Sequence, residues 1–260
     1  MITVVVLTHN DEKILARCLE SLRWCDEMIA IDDESMDGTV GVAKRFGAKV
    51  FTRKLNGDFA AQRNFGLGKA KGEWVLFVDS DEVVSKELAN DIKRVISEKR
   101  QVISGYFIKR KDYFLGKWLT HGETVNVKLL RLAKKDAGKW NRPVHEVWDV
   151  QGPIGELTYP LLHYPHPNVA QFLDEMNRYS TLNASYLYKQ GIRAFWWDII
   201  AYPAAKFFVN YIWRLGFLDG TAGAIMALMM SFHSFLTRAK LWKLSHNANI
   251  RMDANDTNIA

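Results

Sequence analysis

Residues 74–82 read Trp74-Val-Leu-Phe-Val-Asp79-Ser80-Asp81-Glu82. Five consecutive apolar residues, mostly β-branched and aromatic, have the pattern of a strand buried on both faces. The run stops at two carboxylates separated by one residue. In an extended segment residues i and i+2 point the same way, so Asp79 and Asp81 would share a face. Two carboxylates side by side are costly without a cation. A hard divalent metal that also binds phosphate oxygens would satisfy both. A short Asp-x-Asp in an ordinary loop is common and solvated. Its place directly after a buried strand is what points to a site.

The same pattern of strand and polar end recurs upstream. Met1-Ile-Thr-Val-Val-Val-Leu7 reads as a buried strand ending in Thr8-His9-Asn10. It has no basic start and no small-residue cleavage site, so a strand is expected rather than a signal peptide, in a chain kept in the cytoplasm. Asn10 is placed to cap a helix carrying Ile14, Leu15, Cys18, Leu19, Leu22 and Cys25 on one face. Met28–Ile31 is a second strand and ends in Asp32-Asp33-Glu34-Ser35. Helices are expected over 39–46, closed by Gly47, over 59–70 and over 86–99. Further strands are expected over 48–51, 104–109 and 126–132. Alternation of this kind predicts an α/β fold with a mostly parallel, Rossmann-like sheet and helices on both faces. Ligands of such sheets bind beyond the carboxyl ends of the strands. All three polar clusters fall there. Asp37-Gly38 fits a turn as well as a site.

Composition narrows the class. The 260 residues hold 35 Lys plus Arg against 29 Asp plus Glu, a net charge of +6, with 48% hydrophobic residues. This is a globular chain, neither disordered, collagen-like nor coiled-coil. Its 2 Cys cannot build a disulfide framework or a four-cysteine zinc site. The positive charge is dispersed and no nucleic-acid module is present, so no nucleic-acid partner is expected. Gly66-Leu67-Gly68 does not complete a dinucleotide fingerprint, and neither a P-loop nor a His-Glu-x-x-His occurs.

Several motifs now read together. Thr8-x-Asn10, Asp32-Asp33-x-Ser35-x-Asp37-Gly38-Thr39, Arg63-Asn64-x-Gly66 and Asp79-Ser80-Asp81, in this order, resemble family 2 glycosyltransferases with the GT-A fold. Asp58–Asn64, Val144-His145-Glu146, Leu162-His163-Tyr164 and Gly216-Phe-Leu-Asp-Gly220 resemble the bacterial lipopolysaccharide inner-core beta-1,4-glucosyltransferases, over roughly residues 1–245. The resemblance implies a UDP-sugar donor and a lipid-linked glycan acceptor. It implies nucleotide contacts from Thr8, Asn10, Asp32, Asp33, Arg63, Asp79 and Ser80, with Asp33 the expected uracil contact and Arg63 facing the diphosphate. It implies Mg²⁺ or Mn²⁺ on Asp79 and Asp81, with Asp81 the direct ligand. An inverting transfer also needs a base, and the resemblance implies Glu146. His145 is either a third metal ligand, a phosphate contact or a buried structural histidine. Relatives often carry Glu-Asp near this point and this chain does not, which leaves Asp79, Glu82 and Asp112 as other bases. Trp140 and Trp148 either stack on a sugar or fill the core. A polyprenyl-phosphate acceptor and a non-catalytic nucleotide-sugar-binding or membrane-docking protein are the alternative functions.

From Phe195 the composition shifts. Aromatic residues crowd 195–218 and Ala222–Leu236 is nearly all apolar, yet short for a membrane span. Lys206, Arg214, Arg238, Lys240 and Lys243 stand beside these segments. The expectation is a nucleotide-sugar domain over 1–165, a helical, membrane-associating extension over 166–245 and a disordered polar tail over 246–260. Peripheral attachment to the cytoplasmic leaflet of the inner membrane follows. A dimer interface between two copies or a core subdomain is the other use of the same apolar surface.

Overall fold

The computed structural model describes residues 1–98, 102–165 and 169–256. They form two compact units, one made of 1–113 with 126–165, the other of 114–125 with the chain from 166 onward.

The first unit runs β1 (Ile2–Thr8), α1 (Glu12–Glu20), β2 (Glu27–Asp32), α2 (Thr39–Arg45), β3 (Lys49–Thr52), α3 (Phe59–Lys69), β4 (Trp74–Asp79), β5 (Glu82–Val83) and α4 (Lys86–Ser97). It continues with β6, which starts at Gly105 and carries on to Phe114. In the second unit β7 covers Lys117–Trp118. The first unit then resumes with β8 (Lys128–Lys134), β9 (Gly138–Asn141), β10 (Val147–Val150), β11 (Ile154–Glu156) and β12 (Leu161–His163). The sheet order is β3-β2-β1-β4-β8-β6-β12-β5, with β11 also beside β6. The four strands from β3 to β4 are parallel. Beyond them β8 is antiparallel to both β4 and β6, so the sheet is mixed on that side. A separate hairpin pairs β9 with β10.

Val4, Val5 and Val6 are all fully buried, as a central strand covered on both faces requires. One core joins the sheet to Leu15, Cys18 and Leu19 of α1, Val42 of α2 and Leu88 and Ile92 of α4. The other joins it to Ala60 and Leu67 of α3 and to Trp140 and Trp148. Asp58 caps α3 by accepting from Ala61 N, and Ser85 caps α4 by accepting from Leu88 N. Gly66 lets α3 approach the sheet: a Cβ there would meet Val5 Cγ1 at 2.6 Å. Two local expectations differ. Helix α1 ends at Glu20, so Cys25 lies in the turn beyond it rather than on its face. Asp11, not Asn10, precedes α1, because Asn10 takes a left-handed φ of 55°.

The second unit adds α5 (Val169–Lys189), α6 (Asp198–Phe208), a π turn over Val209–Trp213, a 3₁₀ turn over Gly216–Asp219 and α7 (Gly220–Asp256). Phe114, Leu119, Phe172, Met176, Ala222 and Met229 form its core. Buried Asp219 accepts from Thr120 N and Oγ1 and from His121 N at 2.7–2.9 Å. The segment 114–125 therefore belongs with the helices, where the sequence alone put it in the first domain. The tail expected to be disordered is helical through Asp256, because 246–256 contains no Gly or Pro to end α7; residues 257–260 lie outside the described part. The apolar stretch judged short for a span belongs to a longer helical run. Gly216–His246 is long and apolar enough to cross a membrane by length and composition, with 33% of its apolar window buried inside the protein.

Candidate active site

Neighbouring parallel strands bring the expected clusters to one rim. Thr8 is in register with Asp32, and Leu7 with Asp79. Thr8 Oγ1 donates to Asp11 Oδ2 at 2.9 Å, which also accepts from His9 N. The Ser80 side chain bonds Asp11 too, yet burial keeps the Asp11 pKa above its ordinary value. Asn10 bridges to the next strand end, donating from N to Ser35 Oγ and accepting at Oδ1 from Met36 N. Asp33 Oδ1 accepts from Leu55 N at 2.7 Å. Asp32 is 2% exposed; its Oδ2 accepts from Ser35 N, and its Oδ1 has no partner. A buried carboxylate oxygen without a donor is costly, and a ligand N–H or O–H would offset that cost. The open acceptor at this rim is thus on Asp32 rather than on Asp33. Asp37 serves the turn, accepting from Thr39 N and Glu12 N.

At the end of β4 an ionic network is buried. Arg63 of α3, 2% exposed, donates from Nη2 to Asp79 Oδ1 and from Nε to Glu146 Oε1, both at 2.8 Å. Arg131 of β8 donates from Nη2 to Asp79 Oδ2 at 2.6 Å. Both oxygens of Asp79 are therefore held by arginine, a poor arrangement for the metal role expected of it. Burial works against its charge, but Arg131 and Arg63 hold its pKa far below the carboxylate range. Glu146 is lowered in the same way by Arg63 and Arg131 against burial. Glu82 is fully buried, and its Oε2 accepts from Asp79 N at 2.8 Å. Burial pushes its pKa up to about 6, with Arg131 opposing. Arg63 was expected on the diphosphate; its guanidinium instead ties α3 to β4 and to Glu146.

Asp81 points to a different partner. His163 at the end of β12 places Nε2 3.2 Å from Asp81 Oδ2 and Nδ1 2.8 Å from Asp112 Oδ1. Burial disfavours its charge, but Asp81 and Asp112 carry its pKa up to about 10. A carboxylate on the far nitrogen fixes the ring's orientation in the way seen at metal-bound histidines. The hard oxygen of Asp81 suits Mg²⁺ or Mn²⁺, and a cation there would have to displace the Nε2 proton of His163 before the imidazole could be its second ligand. Among the described residues no three His, Cys, Asp or Glu side chains group to hold a metal. A cation here would complete its shell with phosphate and water oxygens, as Mg²⁺ commonly does.

The histidine beside Asp81 is thus His163. His145, the one expected there, is exposed in the β9–β10 loop with a left-handed φ of 54°. Trp140 and Trp148 stack at 5.2 Å and pack edge-on against Phe77, so they fill the core. Arg131 was missed in the sequence; His163 stood in a quoted motif and Asp112 among the other bases, but their pairing beside Asp81 was not foreseen. A signal existed for the first: Arg131 is the one charge inside Leu129-Leu-Arg-Leu-Ala133.

The chain is similar to known proteins over most of its length. The lipopolysaccharide core biosynthesis glycosyltransferase LpsC of Rhizobium meliloti (strain 1021) is 28% identical, over 98% of this chain and 96% of its own. An uncharacterized glycosyltransferase of Rickettsia typhi is 29% identical, over 94% of this chain and 87% of its own. The crystal structure of S. aureus TarS 1-349 in complex with UDP-GlcNAc shares the fold, with a TM-score of 0.50 and 17% identity over 95% of this chain and 92% of that one. The profile of Glycosyl transferase family 2 matches residues 3–148. The chain belongs to glycosyl transferase family 2.

Proposed function

We propose that the chain transfers a hexose from UDP-glucose, with inversion, to a hydroxyl of a lipid-linked glycan such as a lipopolysaccharide core heptose. The observation that carries the reading is the pairing of Asp81 with His163 at the rim where Asp32 keeps an open acceptor. LpsC, similar over nearly its whole length, is named for lipopolysaccharide core biosynthesis. In this reading Thr8, Asn10, Asp32, Asp33 and Ser80 hold the nucleotide. Asp32 Oδ1 accepts from the uracil imide or a ribose hydroxyl. Asp81 and His163 hold the cation, and Asp112 orients His163. Bound there, Mg²⁺ or Mn²⁺ would neutralise charge building on the leaving diphosphate. Glu146, kept ionised by Arg63, accepts the proton of the attacking hydroxyl. The enzyme works as a peripheral protein on the cytoplasmic leaflet, where a lipid-linked acceptor lies.

Titration calorimetry with UDP-glucose, first with Mn²⁺ and then with EDTA, tests the reading. Binding that needs the cation and is lost in Asp81→Ala is the expected result. A folded protein that binds neither UDP nor UDP-glucose would overturn it. The tight Arg63–Glu146 pair favours a second reading, a polyprenyl-phosphate acceptor that needs no base. Glu146→Gln separates the two: near-total loss of transfer fits a hydroxyl, and little change fits a phosphate.

A further inference from the structure

A surface helix normally buries its apolar stripe and shows its polar face to water. Helix α6 instead leaves an apolar stripe in the open. Ile200, Ala201, Ala204, Ala205, Phe208 and Val209 recur at i and i+4 spacing, and every one is exposed. Ile212 and Trp213 carry the stripe through the π turn. Ile200 is 65%, Phe208 56% and Trp213 78% exposed. No residue of α6 is buried. The charges of this helix point elsewhere: Lys206 Nζ bonds Glu123 at 2.6 Å, and Asp198 accepts from Phe195 N. A continuous exposed stripe with no charge on it, led in by exposed Trp196 and Trp197, is a surface built to meet something apolar.

The charges around it indicate what. Between 195 and 246 the acidic residues are Asp198 and Asp219, and Asp219 is buried. Arg214 stands exposed at the end of the stripe. Arg238 of α7 lies with its guanidinium 3.9 Å from the Tyr202 ring. Lys243 is exposed on the same helix. Apolar side chains framed by Trp, Tyr and basic residues suit the boundary between lipid headgroups and acyl chains. A basic border suits an anionic leaflet. Helix α6 has 11 residues, about 16 Å, against a hydrocarbon core of about 30 Å, so it lies flat rather than crossing. Helix α7 is tied down behind it. Ser231 Oγ donates to Pro203 O of α6, and Lys240 Nζ donates to oxygens of Asn177, Ser180 and Thr181 on α5.

We infer that the stripe from Ile200 to Trp213 is a membrane-docking face that lies in the plane of an anionic lipid surface, with α7 as its support. This deepens the proposed reading, which supplies the purpose of docking. The test is co-sedimentation of the full chain with vesicles of phosphatidylcholine, with and without phosphatidylglycerol. Wild type sediments with the anionic vesicles. The variant Ile200→Ser, Phe208→Ser, Trp213→Ser, changed only at exposed positions, loses at least about tenfold in vesicle affinity. Its unfolding midpoint and UDP-glucose isotherm stay as in wild type. Wild type that ignores anionic vesicles, or a variant that binds them equally well, would overturn the inference. So would a vesicle-free dimer broken by the same variant, or resistance to alkaline carbonate extraction, which marks a spanning helix. Quenching of wild-type tryptophan emission by brominated acyl chains is expected and needs no variant. Loss of UDP-glucose binding with vesicle binding intact would sink the donor reading alone.

Discussion

The sheet unit and the helical unit place opposite chemistry in opposite environments. In the sheet unit the charges go inside: Arg63, Arg131, Glu82 and Asp112 are each under 7% exposed. In the helical unit the apolar side chains go outside, from Phe195 to Leu218. Each arrangement is costly by itself. Buried ions lose hydration and are retained only when paired. Exposed aromatic surface invites association. The first cost is met within the chain, by mutual pairing, whereas the second would be offset only by a partner that covers the surface.

The largest effects should come from the paired ions. Asp81→Ala and His163→Ala should reduce glycosyl transfer from the proposed donor to background, measured as UDP release with acceptor present. Asp112→Asn leaves both metal-facing groups in place and should weaken cation affinity by about 10–100-fold, read by Mn²⁺ titration. If Asp112→Asn binds Mn²⁺ as wild type does, His163 is not oriented by that carboxylate.

Next in size is the structural cost of breaking a buried pair. Arg131→Met removes the buried guanidinium beside Asp79 Oδ2 and Glu82, leaving Asp79 with Arg63 alone, and should destabilise the sheet unit by about 3–5 kcal/mol in urea denaturation. Arg214→Met, at an exposed position of the other unit, should stay within about 0.5 kcal/mol. Equal effects would erase the contrast between the units. Packing follows: Gly66→Ala drives a methyl against Val5 and Ile31 and should cost about 1–3 kcal/mol.

The smallest effect concerns pH. Burial raises the Cys25 thiol to about 11 and holds the Cys18 thiol well above its ordinary value. Only the thiolate reacts, so alkylation of the native protein should be slow at neutral pH. It should quicken about tenfold per pH unit up to about 11. The linkage has the same origin. An unfolded thiol ionises near its ordinary value of 9.0, so the stability held by the protonated Cys25 is complete below that pH and declines between 9.0 and about 11. Rapid alkylation of Cys25 at neutral pH would show that this part of the sheet unit opens.

How much of this was legible in the sequence follows from the range of each interaction. The parallel strands and the rim could be read because a strand and the polar residues at its end are contiguous in the chain. Arg131 could have been suspected as a lone charge in an apolar run. The substitution of His163 for His145 beside Asp81 could not be read from spacing, since it depends on β12 pairing with β5. The ion pairs that Arg63 and Arg131 make with Asp79 could not be read for the same reason, because β8 brings Arg131 to β4 from far along the chain. The crowding of aromatic residues over 195–218 was legible, but not the stripe of α6 that carries the exposed ones. A helical stripe reads the same whether it faces a core or water, and only packing decides.

The contact between Asp81 and His163 joins residues 82 apart. On a ribosome adding about 5–20 residues per second, Asp81 waits roughly 4–16 s for its imidazole to be made. Closing so long a loop is among the slower events in such a fold. The nascent sheet can therefore assemble β1 to β4 well before Asp81 meets His163. Cation binding of the kind proposed for Asp81 and His163 should begin in the growing chain only once β12 has emerged, which would make its acquisition a timer for completion of the sheet unit.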